Sequence, residues 1–125
     1  MKTIRVLLVD DEEELVTTLA ERLGLRGIDA EWVTTCEEAL KMLPHKQFHL
    51  AVLDVKMPRM SGLALKRKME AVAPGMKFIF MTGHGSERDF EEGSAEAGAS
   101  YYLLKPVDIE SLAEKIREMV YQKEV

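Results

Sequence analysis

Four short stretches of this 125-residue chain carry side chains that can do chemistry. Asp10 and Asp11 stand together and are followed by three glutamates, while a single aspartate, Asp54, ends an apolar run. Thr82 ends another apolar run, and Lys105 stands directly before a proline. Carboxylates without His or Cys ligands nearby form an all-oxygen site, which suits Mg²⁺ or Ca²⁺ rather than Zn²⁺. A lysine amine adds a movable positive charge that can bind a phosphoryl oxygen.

Each of these residues also has a purely structural interpretation. Acids favour the first turn of a helix, where the helix dipole attracts negative charge, and a lysine after a strand is commonly a solvated surface amine. Asp54 is harder to explain in this way, because a carboxylate at the end of a buried run must be solvated, paired or bound to a cation. A Mg²⁺ ion held by two or three protein oxygens keeps positions open for a phosphoryl oxygen, so the residues point to a phosphorylated substrate.

The rest of the chain predicts the elements that position these side chains. Short apolar runs alternate with segments of helical periodicity, which is typical of a parallel α/β fold. The five predicted strands are residues 4–10, 30–34, 50–54, 77–82 and 100–104. With five helices between and after them, they predict a three-layer α/β/α sandwich. The carboxyl ends of parallel strands converge at one edge of the sheet, so we expect the reactive side chains to lie there.

Sequence signals also place the helix ends. Gly27 is the expected C-cap of the first helix, Thr35 caps the second, and Pro44 stops it. The third helix is predicted over 61–72, and its buried face carries Leu65, Met69 and Val72. The fourth helix is predicted over 86–97. The last helix follows Asp108, which is its expected cap. The fourth has few large apolar anchors and an internal glycine, so we expect it to be the least stable helix.

Composition excludes several classes of function. The chain has 17 basic and 22 acidic residues, a net charge of −5, so direct binding to nucleic acid or to an anionic membrane is not expected. No apolar run approaches the length of a membrane span, and the start does not resemble a signal peptide. Cys36 is the single cysteine, either a packing residue or a reactive thiol, which fits a reducing, cytoplasmic compartment. The length suits one domain spanning residues 1–125.

Taken together, the motifs resemble the receiver domain of two-component response regulators, and the likeness runs from end to end. The matching motifs are VDDE at 9–12, LDVKMPRMSG at 53–62, MTGH at 81–84 and AGASYYLLKP at 97–106. A lone aspartate pair or Lys-Pro would be a weak signal, but four motifs in order at the predicted strand ends are a specific one. The resemblance implies a flavodoxin-like sheet with strand order 2-1-3-4-5.

The resemblance also implies a role for each residue of the site. Asp54 would be the phosphoacceptor, and Lys105 would contact the phosphoryl group. Thr82 would be the switching hydroxyl and Tyr102 the aromatic switch. The implied metal ligands are Asp10, Asp11, Asp54 and the backbone carbonyl of Lys56, holding Mg²⁺ or, as an alternative, Mn²⁺. The implied partners are a cognate histidine kinase or phosphotransfer protein and a downstream protein target or fused output domain.

Further expectations follow from the same resemblance. The Lys105–Pro106 peptide bond should be cis. Phosphorylation should switch the surface formed by residues 86–97, the fifth strand and the last helix. The Lys56 and His84 side chains should tune the lifetime of the phosphoryl group, which the domain would hydrolyse slowly, making it an enzyme only in a limited sense.

Two other functions remain as alternatives. One is a receiver-like interaction module that works without phosphorylation, although such modules usually lose a site residue. The other is a phosphohydrolase that forms an aspartyl phosphate, which typically carries an Asp-x-Asp motif at the first strand instead of adjacent aspartates. A nucleotide-binding enzyme is disfavoured because no glycine-rich loop follows the first strand.

Overall fold

A five-stranded parallel sheet forms the middle layer of the protein. The computed structural model describes residues 3–83 and 100–121. The strands are β1 (Arg5–Val9), β2 (Asp29–Val33), β3 (Leu50–Asp54), β4 (Lys77–Thr82) and β5 (Ser100–Leu104). The helices within the described residues are α1 (Glu13–Gly24), α2 (Cys36–Met42), α3 (Gly62–Val72) and α4 (Ile109–Tyr121). The sheet order is β2-β1-β3-β4-β5, which confirms the predicted topology.

Burial explains why the three central strands are apolar except at their ends. Every residue of β3 is buried, as are all but the first residue of β1 and of β4, because helices cover both faces of the sheet. The predicted bounds of β3, β4 and β5 are confirmed, and β1 is shorter than predicted by one residue at each end. β2, at an edge of the sheet, begins and ends one residue earlier than predicted.

Two apolar clusters fill the space between the sheet and the helices. On one face, α1 and α4 pack against the sheet through side chains such as Leu19, Leu23 and Ile116. On the other face, α2 and α3 pack through Ala39, Leu65 and other buried residues. The sandwich therefore holds its strand ends on a core covered from both sides.

Two predicted helix caps, Thr35 and Asp108, are confirmed, and Ser61, the predicted first residue of the third helix, is also a cap. The side chains of Thr35, Ser61 and Asp108 accept hydrogen bonds from the backbone N–H groups of Glu38, Ala64 and Ser111 at the starts of α2, α3 and α4. As predicted, α2 ends before Pro44.

Two details of the helix ends were predicted wrongly. Helix α1 ends at Gly24 with Leu25 as its C-cap, and Gly27, with φ of 80°, belongs to the turn that follows. Val72 is 51% exposed because it lies at the last position of α3, beyond the part of the helix that packs on the sheet. The helix predicted over 86–97 lies outside the described residues.

Cys36 is a buried packing residue. Its Sγ lies 3.7 Å from the Met60 carbonyl oxygen, and burial, followed by the charge of Glu37, raises the pKa of the thiol. A raised pKa lowers the thiolate fraction, which disfavours the reactive-thiol alternative. Within the described residues, no helix is both long enough and apolar enough to cross a lipid bilayer.

Candidate functional site

The ends of four strands bring the reactive side chains to one edge of the sheet. Asp10 directly follows β1, Asp54 ends β3, Thr82 ends β4, and Lys105 directly follows β5. The Lys105 N–H donates to the Thr82 carbonyl oxygen at 2.8 Å, so the backbone itself links the last two positions. The expected convergence at the carboxyl edge is therefore observed.

Three carboxylates form a compact cluster at this edge. Asp10, Asp11 and Asp54 each offer an oxygen, and these oxygens all lie within 4.8 Å of one another. Asp10 is fully buried and Asp54 is 6% exposed, whereas Asp11 is exposed to solvent. Three like charges so close together repel one another unless a cation offsets them, and an all-oxygen donor set suits a hard divalent cation. Asp10, Asp11 and Asp54 are therefore suitable ligands for a divalent metal ion.

Lys105 supplies positive charge to the same cluster. Its Nζ lies 2.8 Å from Asp10 Oδ2, 3.3 Å from Glu12 Oε1 and 3.6 Å from Asp54 Oδ2. Burial works against the charged form of this amine, but the hydrogen bond to Asp10 and the attraction of the surrounding acids outweigh it, so the pKa of Lys105 lies above its usual value. Lys105 is therefore charged and already inside the cluster.

The pKa of the Asp54 carboxyl group is strongly shifted from its ordinary value. Burial, followed by the negative charge of Asp10, raises the pKa of Asp54 to about 6. Lys105 and the backbone N–H of Lys56, which donates to Asp54 Oδ1 at 3.4 Å, work in the opposite direction without cancelling the effect. A buried carboxylate with a perturbed pKa beside a charge partner is typical of a functional site.

The loop after β3 fixes the backbone beneath Asp54. The Gly62 N–H donates to the Val55 carbonyl oxygen at 3.0 Å, and Gly62 is buried against the Asp54 backbone. Lys56 is exposed and lines the cleft beside Asp54.

A cleft of about 490 Å³ opens at the carboxyl edge of the sheet. Its polar wall includes Asp54, Thr82 and Lys105, and its apolar wall includes Leu15 and Val107. Such a mixture of charged groups and apolar surface can admit a phosphorylated side chain or a small phosphorylated molecule.

Glu12 is the residue at this site that sequence reasoning missed. Its position at the start of α1 suggested only a favourable interaction with the helix dipole, yet its carboxylate lies 3.3 Å from Lys105 Nζ. The only signal in the sequence is its place directly after the aspartate pair.

The remaining sequence-predicted residues lie around this centre. Tyr102 stacks on Phe80 with ring centroids 5.0 Å apart, and its hydroxyl oxygen is buried. The Lys105–Pro106 peptide bond is cis, as predicted. His84 lies outside the described residues.

Comparison with known proteins agrees with this arrangement. The sequence model of the family described as the response regulator receiver domain matches residues 6–117 of this chain. The two-component response regulator PhoP of Pseudomonas aeruginosa is 34% identical to this chain over 117 residues, which cover 94% of this chain and 52% of that protein. The chain spans about half of the length of PhoP and 27% of the length of another relative, the transcriptional regulatory protein GlrR of Escherichia coli.

Solved structures give the same result. A receiver domain protein from Methanospirillum hungatei is 34% identical, with a TM-score of 0.85 and coverage of 95% of this chain and 94% of that one. A response regulator from Burkholderia pseudomallei, solved with a phosphorylated aspartic acid, a calcium ion and citrate, is 27% identical, with a TM-score of 0.78 and coverage of 91% and 71%. With the fold, the acidic cluster and the family match in agreement, this chain belongs to the response regulator receiver domain family.

Proposed function

We propose that this chain accepts a phosphoryl group on Asp54 from a histidine kinase or phosphotransfer protein. The observation that carries the proposal is the placement of Asp54 in the cleft, with its Oδ2 3.6 Å from Lys105 Nζ and a carboxylate oxygen within 4.8 Å of the other two aspartates. A carboxylate so placed is a nucleophile with positive charge ready for the group it attacks.

An Asp54 oxygen attacks phosphorus, a phosphorus–oxygen bond forms, and the phosphorus–nitrogen bond of the donor phosphohistidine breaks. The electron pair of that bond stays with the imidazole nitrogen, and the product is an acyl phosphate on Asp54. Lys105 and the Thr82 hydroxyl bind the phosphoryl oxygens and so stabilise the charge that develops on them.

Asp10, Asp11 and Asp54, with the backbone carbonyl of Lys56, would hold Mg²⁺, or alternatively Mn²⁺. When bound, such an ion offsets negative charge on the phosphoryl oxygens. The cluster of three carboxylate oxygens within 4.8 Å supports this assignment. The calcium ion and phosphorylated aspartic acid of the Burkholderia protein support it by similarity.

Phosphorylation then switches the surface of β5 and α4, and the sequence prediction extends this surface to residues 86–97, which lie outside the described residues. Thr82 moves toward the phosphoryl group, and Tyr102, which stacks on Phe80 next to it in the sheet, responds to that movement. The change biases an equilibrium between two conformations that both exist before phosphorylation. The downstream partner is a protein target or an output domain of the same polypeptide.

Residues 1–125 act as one receiver domain in the cytoplasm, where the kinase and the phosphodonor are present. Slow hydrolysis of the acyl phosphate resets the domain, at a rate set by Lys56 and His84.

The test is exposure of the purified chain to acetyl phosphate or phosphoramidate, with and without Mg²⁺, followed by intact-mass measurement. We expect one added phosphoryl group in the wild type with Mg²⁺, and none in excess chelator or in Asp54→Asn. Equal labelling of Asp54→Asn would contradict the assignment. A chain that keeps its partner binding but takes up no phosphoryl group would be a phosphorylation-independent module, and rapid turnover of small phosphate esters would indicate a phosphohydrolase.

A further inference from the structure

We propose that Glu12 is a positioning residue that holds the Lys105 ammonium back from Asp54 until a phosphoryl group arrives. The inference rests on the proposed role of Asp54 as phosphoacceptor and deepens it, because it identifies what sets the resting position of the lysine.

The distances around the ammonium are unequal. Lys105 Nζ lies 2.8 Å from Asp10 Oδ2 and 3.3 Å from Glu12 Oε1, but 3.6 Å from Asp54 Oδ2. The two closer acids are joined to each other, since the Glu12 N–H donates to Asp10 Oδ1 at 2.9 Å. Asp10 and Glu12 thus act as one unit that holds the lysine nearer to β1 than to the nucleophile.

The Glu12 carboxylate is not used by its own helix. Glu12 is the N-cap of α1, yet its side chain makes no capping hydrogen bond within the described residues. Helices α2, α3 and α4, by contrast, each begin with a side chain that accepts from a backbone N–H. The helix therefore goes without a stabilising cap while the carboxylate contacts Lys105.

The contact can also be released at little cost. The Glu12 side chain is 65% exposed, so water replaces the lysine readily once the ammonium leaves. A phosphoryl group on Asp54 carries up to two negative charges and attracts the ammonium more strongly than the single charge of Glu12 does. Arrival of that group thus draws Lys105 from the Glu12 side of the site to the Asp54 side.

Two substitutions separate contact from charge. Glu12→Gln removes the charge, whereas Glu12→Asp keeps the charge but shortens the side chain by one methylene group. Glu14→Gln is the matched control, because Glu14 is an exposed acid in the first turn of the same helix. Thermal melting checks that all three variants fold.

The first measurement is the NMR signal of the Lys105 side-chain ammonium in unphosphorylated, metal-free protein at one fixed pH. We expect altered shifts and faster hydrogen exchange in both Glu12 variants, with the wild-type signal retained in Glu14→Gln. A wild-type ammonium signal in the Glu12 variants would overturn the proposal.

The second measurement is the rate of Asp54 phosphorylation by phosphoramidate at saturating Mg²⁺. A lysine free to approach Asp54 should raise this rate about two- to fivefold in both Glu12 variants, the size expected for loss of one exposed ion pair. Rates equal to that of Glu14→Gln would overturn the proposal. If the wild type itself takes up no phosphoryl group, the proposed function fails, while the ammonium comparison still decides whether Glu12 holds the lysine.

Discussion

The backbone of Asp54 lies directly against Gly62, eight residues further along the chain. A methyl group built on Gly62 would overlap the Asp54 carbonyl oxygen and would lie 3.1 Å from its carbonyl carbon and 3.2 Å from Val55 Cα. All three atoms are backbone atoms at or next to the end of a buried strand, so they cannot shift without moving Asp54 itself. The glycine lets the loop close tightly beneath the site.

We therefore expect Gly62→Ala to lower the free energy of unfolding by about 1–3 kcal/mol, the usual cost of overpacking, and to slow phosphorylation of Asp54. Urea denaturation and intact-mass labelling measure the two effects. Gly24→Ala is the control, because a Cβ there would meet no atom within 4 Å. Equal stability and labelling of the two variants would show that the loop adapts to a side chain.

The pKa of Asp54 predicts how the stability of the metal-free protein depends on pH. Because burial raises the pKa of Asp54 to about 6, the folded chain keeps a proton there at pH values where the unfolded chain has lost it. The stabilisation from this group is complete below about pH 4 and is lost as the pH rises through about 6.

Asp54→Asn has no carboxyl group that can ionise at position 54. Comparing this variant with the wild type therefore isolates what the Asp54 carboxyl group contributes to the free energy of unfolding. Above about pH 6, we expect the variant to be more stable than the wild type by about 1–2 kcal/mol without metal, a figure reduced for partial solvent screening. Below about pH 4 the difference should vanish. Urea denaturation across this range measures it, and a difference that does not vary with pH would count against the raised pKa.

We expect Lys105 and a divalent cation to compete for the same carboxylates. Lys105→Ala removes the ammonium that lies 2.8 Å from Asp10 Oδ2, so we expect Mg²⁺ to bind more tightly, as measured by titration calorimetry. The same variant should uncouple phosphorylation from the conformational change. Lys41→Ala, which removes an exposed lysine on α2, is the control for net charge. Weaker Mg²⁺ binding in Lys105→Ala than in the control would contradict the competition.

The lifetime of the phosphoryl group should depend on Lys56 and His84. We expect Lys56→Ala and His84→Ala to change the decay of phosphorylated Asp54 several-fold while the thermal midpoint stays nearly constant. Lys56 lies along the wall of the cleft, where a second cation can screen the phosphoryl group or orient water. Decay rates of wild type and His84→Ala that coincide from about pH 5.5 to 8 would remove the histidine from this role.

Local patterns were enough to predict the strands and helices of the fold and the candidate residues at the strand ends. Apolar runs, helical periodicity and capping residues depend on neighbours in sequence, so the strand bounds of β3 to β5 and the caps at Thr35 and Asp108 followed from them. The resemblance supplied the strand order, and the order then placed Asp10, Asp54, Thr82 and Lys105 at one edge of the sheet.

The distances between the side chains at that edge of the sheet depend on tertiary packing. Glu12 and Lys105 are 93 residues apart in sequence, and no local pattern distinguishes a glutamate that serves its helix from one that contacts a lysine across the site. The same applies to the tight contact of Gly62 with Asp54 and to the exposure of Val72, since both depend on how loops and helices close over the sheet. The sequence was sufficient to place Asp10, Asp54, Thr82 and Lys105 at strand ends, because runs and motifs are local. The packing of distant segments set the distances between these side chains, added Glu12 to the site and determined how far each carboxylate is buried.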